Sequence, residues 1–191
     1  MNKHDRLKDI VFLAMLSALA FVSALVIKIP LMPSAPFLKF DIKDAIIVIG
    51  GFLYGTFAGL LVSVITTLLQ FFLISEDGII GFMMNLISTA SFVCIVSSIY
   101  RLTRTRKGLV IGVISGGLVM AAVMVMWNYI VTPAYMGISR ETIKPMLWSI
   151  FLPFNLLKGG INAVIILLYF KPLMSALSGF IDTKGQKKSL P

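Results

Sequence analysis

Five stretches of this chain are apolar for long enough to decide its architecture: roughly residues 10–29, 44–75, 79–100, 108–132 and 147–170. A helix crosses the hydrocarbon core of a bilayer with about 20 predominantly apolar residues. The rest of the composition agrees. The chain is 58% hydrophobic and only 13% charged, against about 25% charged residues in a soluble domain. Its mean hydropathy is +0.97. The expected fold class is therefore an all-α integral membrane protein, with one transmembrane domain covering residues 1–191. The net charge of +9 raises the question of nucleic acid. The cations sit at the ends of the apolar runs, where membrane topology needs them, so no nucleic-acid partner is expected.

The second run is too long for a single crossing. Its 32 residues would form a rod of about 48 Å, beyond a core of about 30 Å. It contains Gly50, Gly51, Gly55 and Gly59. It is either one long tilted helix or two short ones with a tight turn near Tyr54–Thr56. Charge chooses between them, because cytoplasmic loops are enriched in Lys and Arg. The N-terminus carries Lys3, Arg6 and Lys8. The loop "RLTRTRK" carries Arg101, Arg104, Arg106 and Lys107, and the C-terminal region carries Lys171, Lys184, Lys187 and Lys188. All three fall on one side only if 44–75 crosses twice. The expectation is six transmembrane helices at about 10–29, 43–55, 57–75, 79–100, 108–132 and 149–170. Both termini are then cytoplasmic, and 176–191 forms a tail. The outer loops become 30–42, 75–78 and 133–146, with Pro133 ending the fifth span.

This topology gathers the polar residues at one depth. Gln70, Asn85 and Asn128 fall near the outer ends of spans 3, 4 and 5. Asn155, Lys158 and Asn162 fall in the outer half of span 6, in "LPFNLLKGGINAV". At about 100° per residue, Asn155 and Asn162 lie within about 20° of each other and Lys158 about 60° to the side, so all three share a face. An amide or ammonium in hydrocarbon is costly unless it finds partners. One reading has Lys158 snorkelling to the interface while the amides hold helices together. The other is a polar-lined, outward-facing ligand pocket. The inner halves hold only small hydroxyls such as Ser97, Ser98 and Ser115, so no polar path continues below.

Other features have ordinary explanations. Asp41 and Asp44 in "PFLKFDIKDA" suit the N-terminus of span 2, where the helix dipole favours carboxylates. Phe37 and Phe40 in the same loop suit a lid or the interface. Trp127, Tyr129 and Tyr135 suit an interfacial aromatic belt, or stacking on a flat ligand. Ala14 with Ala18, and Gly112 with Gly116, are small-xxx-small pairs that permit close helix approach. Cys94 is the only cysteine and His4 the only histidine, so no intrachain disulfide or paired-cysteine metal site is available. There is no phosphate-binding G-x-x-x-x-G-K-[ST], no H-E-x-x-H and no G-x-S-x-G. No carboxylate is expected deep in a span to couple transport to protons or sodium. The chain is equipped to bind, and not to power transport or to act as an enzyme.

The stretches "FLKFDIKDAIIVIGGFLYGTFAGLL", "WNYIVTPAYMG" and "PFNLLKGGINAV" resemble the substrate-binding S components of energy-coupling factor (ECF) vitamin importers, in particular the riboflavin-specific ones, over roughly 5–175. The resemblance implies a six-helix bundle in a bacterial cell membrane that holds its vitamin near the extracellular side. It implies a transmembrane coupling subunit and two cytoplasmic ATPase subunits as partners, with an A-x-x-x-A motif on the first helix, here Ala14 and Ala18, meeting the coupling subunit. Riboflavin is then transported ligand, and no cofactor is expected. Its flat ring has one edge of alternating donors and acceptors, which amides and an ammonium can meet. The expected polar contacts are Asn128, Asn155, Lys158 and Asn162. Asp41 or the backbone around Phe40 would meet the ribityl hydroxyls, and Phe37, Phe40, Phe82, Trp127 and Tyr135 would form walls or a lid. Three other readings stay open: an S component for another vitamin, since an anion such as biotin or folate would also welcome Lys158; a stand-alone facilitator; and an intramembrane enzyme.

Overall fold

The computed structural model describes residues 3–74 and 78–176, with side chains from Arg6 onward. The tail expected over 176–191 lies outside the described residues beyond Ala176. Apart from one short hairpin, the described elements are helical: α1 (Lys3–Val26), α2 (Lys43–Tyr54), α3 (Thr56–Ile74), α4 (Gly78–Thr103), α5 (Arg106–Met136), α6 (Arg140–Met146) and α7 (Leu152–Ala176). A π-helical turn, Leu147–Phe151, joins α6 to α7 without a break. Strands β1 (Ile29–Pro30) and β2 (Lys39–Phe40) pair antiparallel within the α1–α2 connection.

Five of these segments are long and apolar enough to cross a membrane: Arg6–Val26, Thr56–Ile74, Gly78–Thr103, Arg106–Met136 and Arg140–Ala176. The second apolar run divides at Gly55, whose φ of 108° is open to glycine and strained for other residues. The Arg101 guanidinium packs on its bare Cα, where a Cβ would lie 1.8 Å from Nη1. The resulting α2 has 12 residues, about 18 Å of helix, and does not reach across a core of about 30 Å by itself. Its position permits this shortness. Lys43, Asp44, Ala45, Ile47, Val48, Gly50, Gly51, Phe52 and Leu53 are all buried, and irregular backbone at membrane depth is tolerated where protein surrounds it.

Two other expectations are corrected. Pro133 does not end the fifth helix. α5 runs through it to Met136 and stops at Gly137, in the left-handed conformation at φ 64°. A proline so near a helix end removes only one backbone bond, and the helix continues past it. The segment 133–146, expected as an outer loop, is accordingly helical except at 137–139. The π turn has a related cause. Pro153 offers no N–H to the Ser149 carbonyl, and its ring would clash with that group in a regular helix. The turn widens instead, and the Leu152 N–H reaches back to the Leu147 carbonyl.

Bare glycine surfaces set the helix contacts. A Cβ on Gly159 of α7 would come within 2.9 Å of the Gly117 Cα on α5. On α4, Phe92 and Val96 fill the grooves at Gly112 and Gly116. Phe52, Tyr100 and Phe170 interlock edge to face, with ring centroids 4.7, 5.6 and 5.2 Å apart. Phe52 and Tyr100 belong to the last turns of α2 and α4 and Phe170 to the C-terminal half of α7, and together they close that end of the bundle. Ala14 and Ala18 lie on the exposed face of α1.

Candidate ligand-binding site

The opposite end of the bundle is hollow. A cavity of about 260 Å³ lies between the end of α1, the α1–α2 connection, the end of α3, the start of α4, Met124 of α5 and the start of α7. The connection forms its cover. Ala35 and Leu38 pack with Ile143, Leu147, Phe151 and Phe154, which ties the cover to α6 and α7. Phe37, Phe40, Phe71, Phe82, Met84 and Phe154 supply apolar wall.

One side of the cavity carries charge. The Lys158 ammonium is 3.1 Å from Asp44 Oδ2, with 7% of the lysine side chain exposed and none of the aspartate. Asp44 Oδ1 accepts a hydrogen bond from Thr89 Oγ1 at 2.7 Å and lies 3.9 Å from the Lys43 ammonium. Lys43 is fully buried and donates to Asp41 Oδ2 at 2.7 Å. Two carboxylates and two ammoniums thus form a neutral network between α2 and α7. Buried charges persist only when paired in this way. Lys158 therefore does not snorkel to an interface; its partner is inside the protein.

Asp44 is the residue that the sequence reading misplaced. The N-cap position of α2 is Ile42, with no side-chain cap. Asp41 accepts the Lys43 backbone N–H at 3.2 Å, while Asp44 points inward as the counter-ion of Lys158. Asp44 does lie in the first turn of α2; the sequence did not show that its side chain is fully buried between helices. The available signal was the pair of lysines, Lys43 and Lys158, which an apolar bundle holds only with carboxylates beside them.

The structure brings Asp41, Phe40, Phe82, Asn155 and Lys158 to the cavity, together with Phe37, Gln70 and Asn85. Asn155 donates from Nδ2 to the Phe151 carbonyl at 2.8 Å, a carbonyl of the widened turn. Four expected residues do not line it. Asn128 is held within α5, donating to the Met124 carbonyl at 2.7 Å and accepting from Thr132 at 2.7 Å. Asn162 is fully buried, and neither polar atom of its amide bonds to a described residue. Trp127 packs against the hydrophobic core, and Tyr135 is about half exposed at the end of α5. Equal depth along neighbouring helices does not fix which side chains face the same space; helix rotation does. Thr67, Phe71, Ser88 and Met124 line the cavity without a signal that separates them from ordinary core positions.

Residues 8–170 match the family model of the ECF transporter, substrate-specific component. The chain is 31% identical to the riboflavin transporter RibU of Staphylococcus aureus (strain TCH60) over 176 residues, 89% of this chain and 92% of that one. It is 29% identical to the riboflavin transporter FmnP of Bacillus subtilis (strain 168) over 174 residues, 86% of this chain and 91% of the relative. A solved S component of a bacterial ECF transporter shares its fold with a TM-score of 0.79 at 30% identity, covering 90% of this chain and 98% of that structure.

Proposed function

This chain belongs to the family of substrate-specific components of ECF transporters, and from that premise we propose that it captures riboflavin for import. It is a membrane-embedded binding subunit and not an enzyme. Six crossings with both termini in the cytoplasm put the basic segment Arg101–Lys107 inside, in accord with the positive-inside rule. The cavity, at the other end of the bundle, then faces out of a bacterial plasma membrane. The observation that carries the reading is an aromatic-walled cavity lined by Asn155 and by Lys158, which the buried Asp44 pairs from behind. A flat, largely apolar ring is buried by such walls, and its polar substituents meet fixed groups. The closed aromatic end below offers no continuous path, so a stand-alone facilitator is disfavoured.

Import needs partners under this reading. A transmembrane coupling subunit would dock on the exposed Ala14–Ala18 face of α1, where small residues allow a second helix to approach closely, and two cytoplasmic ATPase subunits would supply the work. Release then requires the bundle to reorient bodily.

The test is the visible absorption of the protein purified in mild detergent from cells grown in rich medium, followed by titration of riboflavin fluorescence. A flavin spectrum near one-to-one stoichiometry, lost in Lys158→Met, is the expected result. A colourless protein that also leaves riboflavin fluorescence unquenched would overturn the assignment and leave the cavity to another ligand.

A further inference from the structure

The closed end of the bundle, away from the cavity, carries charge that ligand capture does not use. Only Arg104 and Thr105 join α4 to α5 there, so Arg101, Arg104, Arg106 and Lys107 crowd one tight connection. Arg104 takes a left-handed backbone at φ 51°, and its Nε donates to the Arg101 carbonyl at 3.3 Å. Thr105 caps α5 by accepting the Gly108 N–H at 3.0 Å. None of the four cations forms an ion pair with a described residue. Arg6, Lys8 and Lys171 are exposed at the same end, where Asp9 is the only carboxylate among the described residues. Bare apolar side chains stand beside this charge. Leu102, next to Arg101, is 85% exposed and Phe57 is 80% exposed, and no other large apolar side chain among the described residues is as open. Phe57 lies two residues beyond Gly55, on which the Arg101 guanidinium packs. Thr56 Oγ1 meets Ser98 Oγ at 3.0 Å and holds the start of α3 against α4.

We propose that the α4–α5 connection is a binding site for anionic phospholipid, with the headgroup phosphate on its cations and the acyl chains along Leu102 and Phe57. Topology alone asks that the loops on one side be basic. It does not ask for bare apolar side chains next to the cations. A phospholipid answers to both, because its phosphate is joined to hydrocarbon. The acidic surface of a soluble partner would meet the charges and leave Leu102 and Phe57 uncovered. Guanidinium suits a phosphate: it is planar, weakly hydrated, and its fork forms two parallel bonds. Cations without carboxylate partners inside the protein keep their donors for such a ligand. Net negative headgroups are favoured over zwitterionic ones, whose own cation is repelled by four positive side chains. Gly55 lets the Arg101 guanidinium lie against the α2–α3 bend, so less side-chain freedom is lost when lipid arrives. Headgroups held here would fix the depth of the closed end at the interface.

The experiment places a reporter tryptophan in the site, Leu102→Trp combined with Trp127→Phe and Trp148→Phe, and reconstitutes the protein in phosphatidylcholine bilayers. Bromine on an acyl chain quenches a tryptophan that it touches. Brominated phosphatidylglycerol is compared with brominated phosphatidylcholine at the same mole fraction. The anionic lipid is expected to compete for the reporter about fivefold more strongly, the factor that one cation contributes near an anionic surface. Adding Arg101→Gln, Arg104→Gln, Arg106→Gln and Lys107→Gln together should bring the two lipids to equality. Equal quenching in the protein that keeps all four cations overturns the proposal without need of those substitutions, and leaves the cluster to the acidic side chains of a protein partner. A preference that survives the glutamine substitutions places the lipid elsewhere and also overturns it. A reporter that neither brominated lipid quenches puts the connection outside the bilayer, with the same consequence. No flavin takes part, so the result stands apart from the riboflavin reading above.

Discussion

Asp44→Asn tests whether the charged network has the asymmetry its distances imply. Asp44 is the only carboxylate within salt-bridge distance of the Lys158 ammonium among the described residues, at 3.1 Å. Lys43 has its own partner in Asp41 at 2.7 Å. Removing the Asp44 charge therefore strands Lys158 in a buried site. At an effective dielectric constant of about 20, the direct attraction lost is about 5 kcal/mol. Desolvation offsets part of this in the folded protein, and breaking a buried pair from one side costs about 3–5 kcal/mol. For a chain of this size that lowers an unfolding midpoint by on the order of 10 °C. Lys158→Met should cost less, because Asp44 keeps Thr89 at 2.7 Å and Lys43 at 3.9 Å. The double variant Asp44→Asn/Lys158→Met leaves no stranded charge and should recover most of the loss seen in Asp44→Asn. The assay is thermal unfolding in detergent without ligand, followed by tryptophan fluorescence. An unchanged midpoint in Asp44→Asn, or a double variant no more stable than Asp44→Asn, would refute the account of the network as a mutually dependent buried pair.

Adjacent glycines on α7 provide a matched comparison. Gly159→Ala places a methyl 2.9 Å from the Gly117 Cα and should cost about 1–3 kcal/mol by overpacking, whereas Gly160→Ala meets nothing within 4 Å and should stabilise the helix by up to about 1 kcal/mol; equal midpoints in thermal unfolding would discard the close α5–α7 contact. Asn162→Leu removes a fully buried amide with no described partner, so the ligand-free protein should gain about 1–3 kcal/mol, and a lowered midpoint would show that the amide is satisfied in solution. Replacing Ala14 and Ala18 together by leucine should leave riboflavin titration unchanged and abolish uptake by whole cells; loss of binding instead would mean that these residues only pack the bundle.

Much of this protein is written locally. The lengths of the apolar runs require membrane helices, because lipid offers no alternative partner to the backbone. The glycines within 44–75 marked a break, and it falls at Gly55, where the backbone takes a conformation that glycine adopts freely. Of the polar face expected from Asn155, Lys158 and Asn162, the first two reach one cavity, while Asn162 is fully buried and does not line it. Partnership between helices was not legible. Asp44 read as a helix-terminal carboxylate, which is what its neighbours in sequence allow; only the packing of α2 against α7 turns it into the counter-ion of Lys158. Asn128 and Met124 are one turn apart on α5, yet the apolar residue lines the cavity and the amide bonds within its own helix. Local pattern fixes where a helix begins and ends. Which side chains meet depends on how each helix is rotated and how closely it approaches its neighbours, and here contacts such as Gly117 against Gly159 decide that.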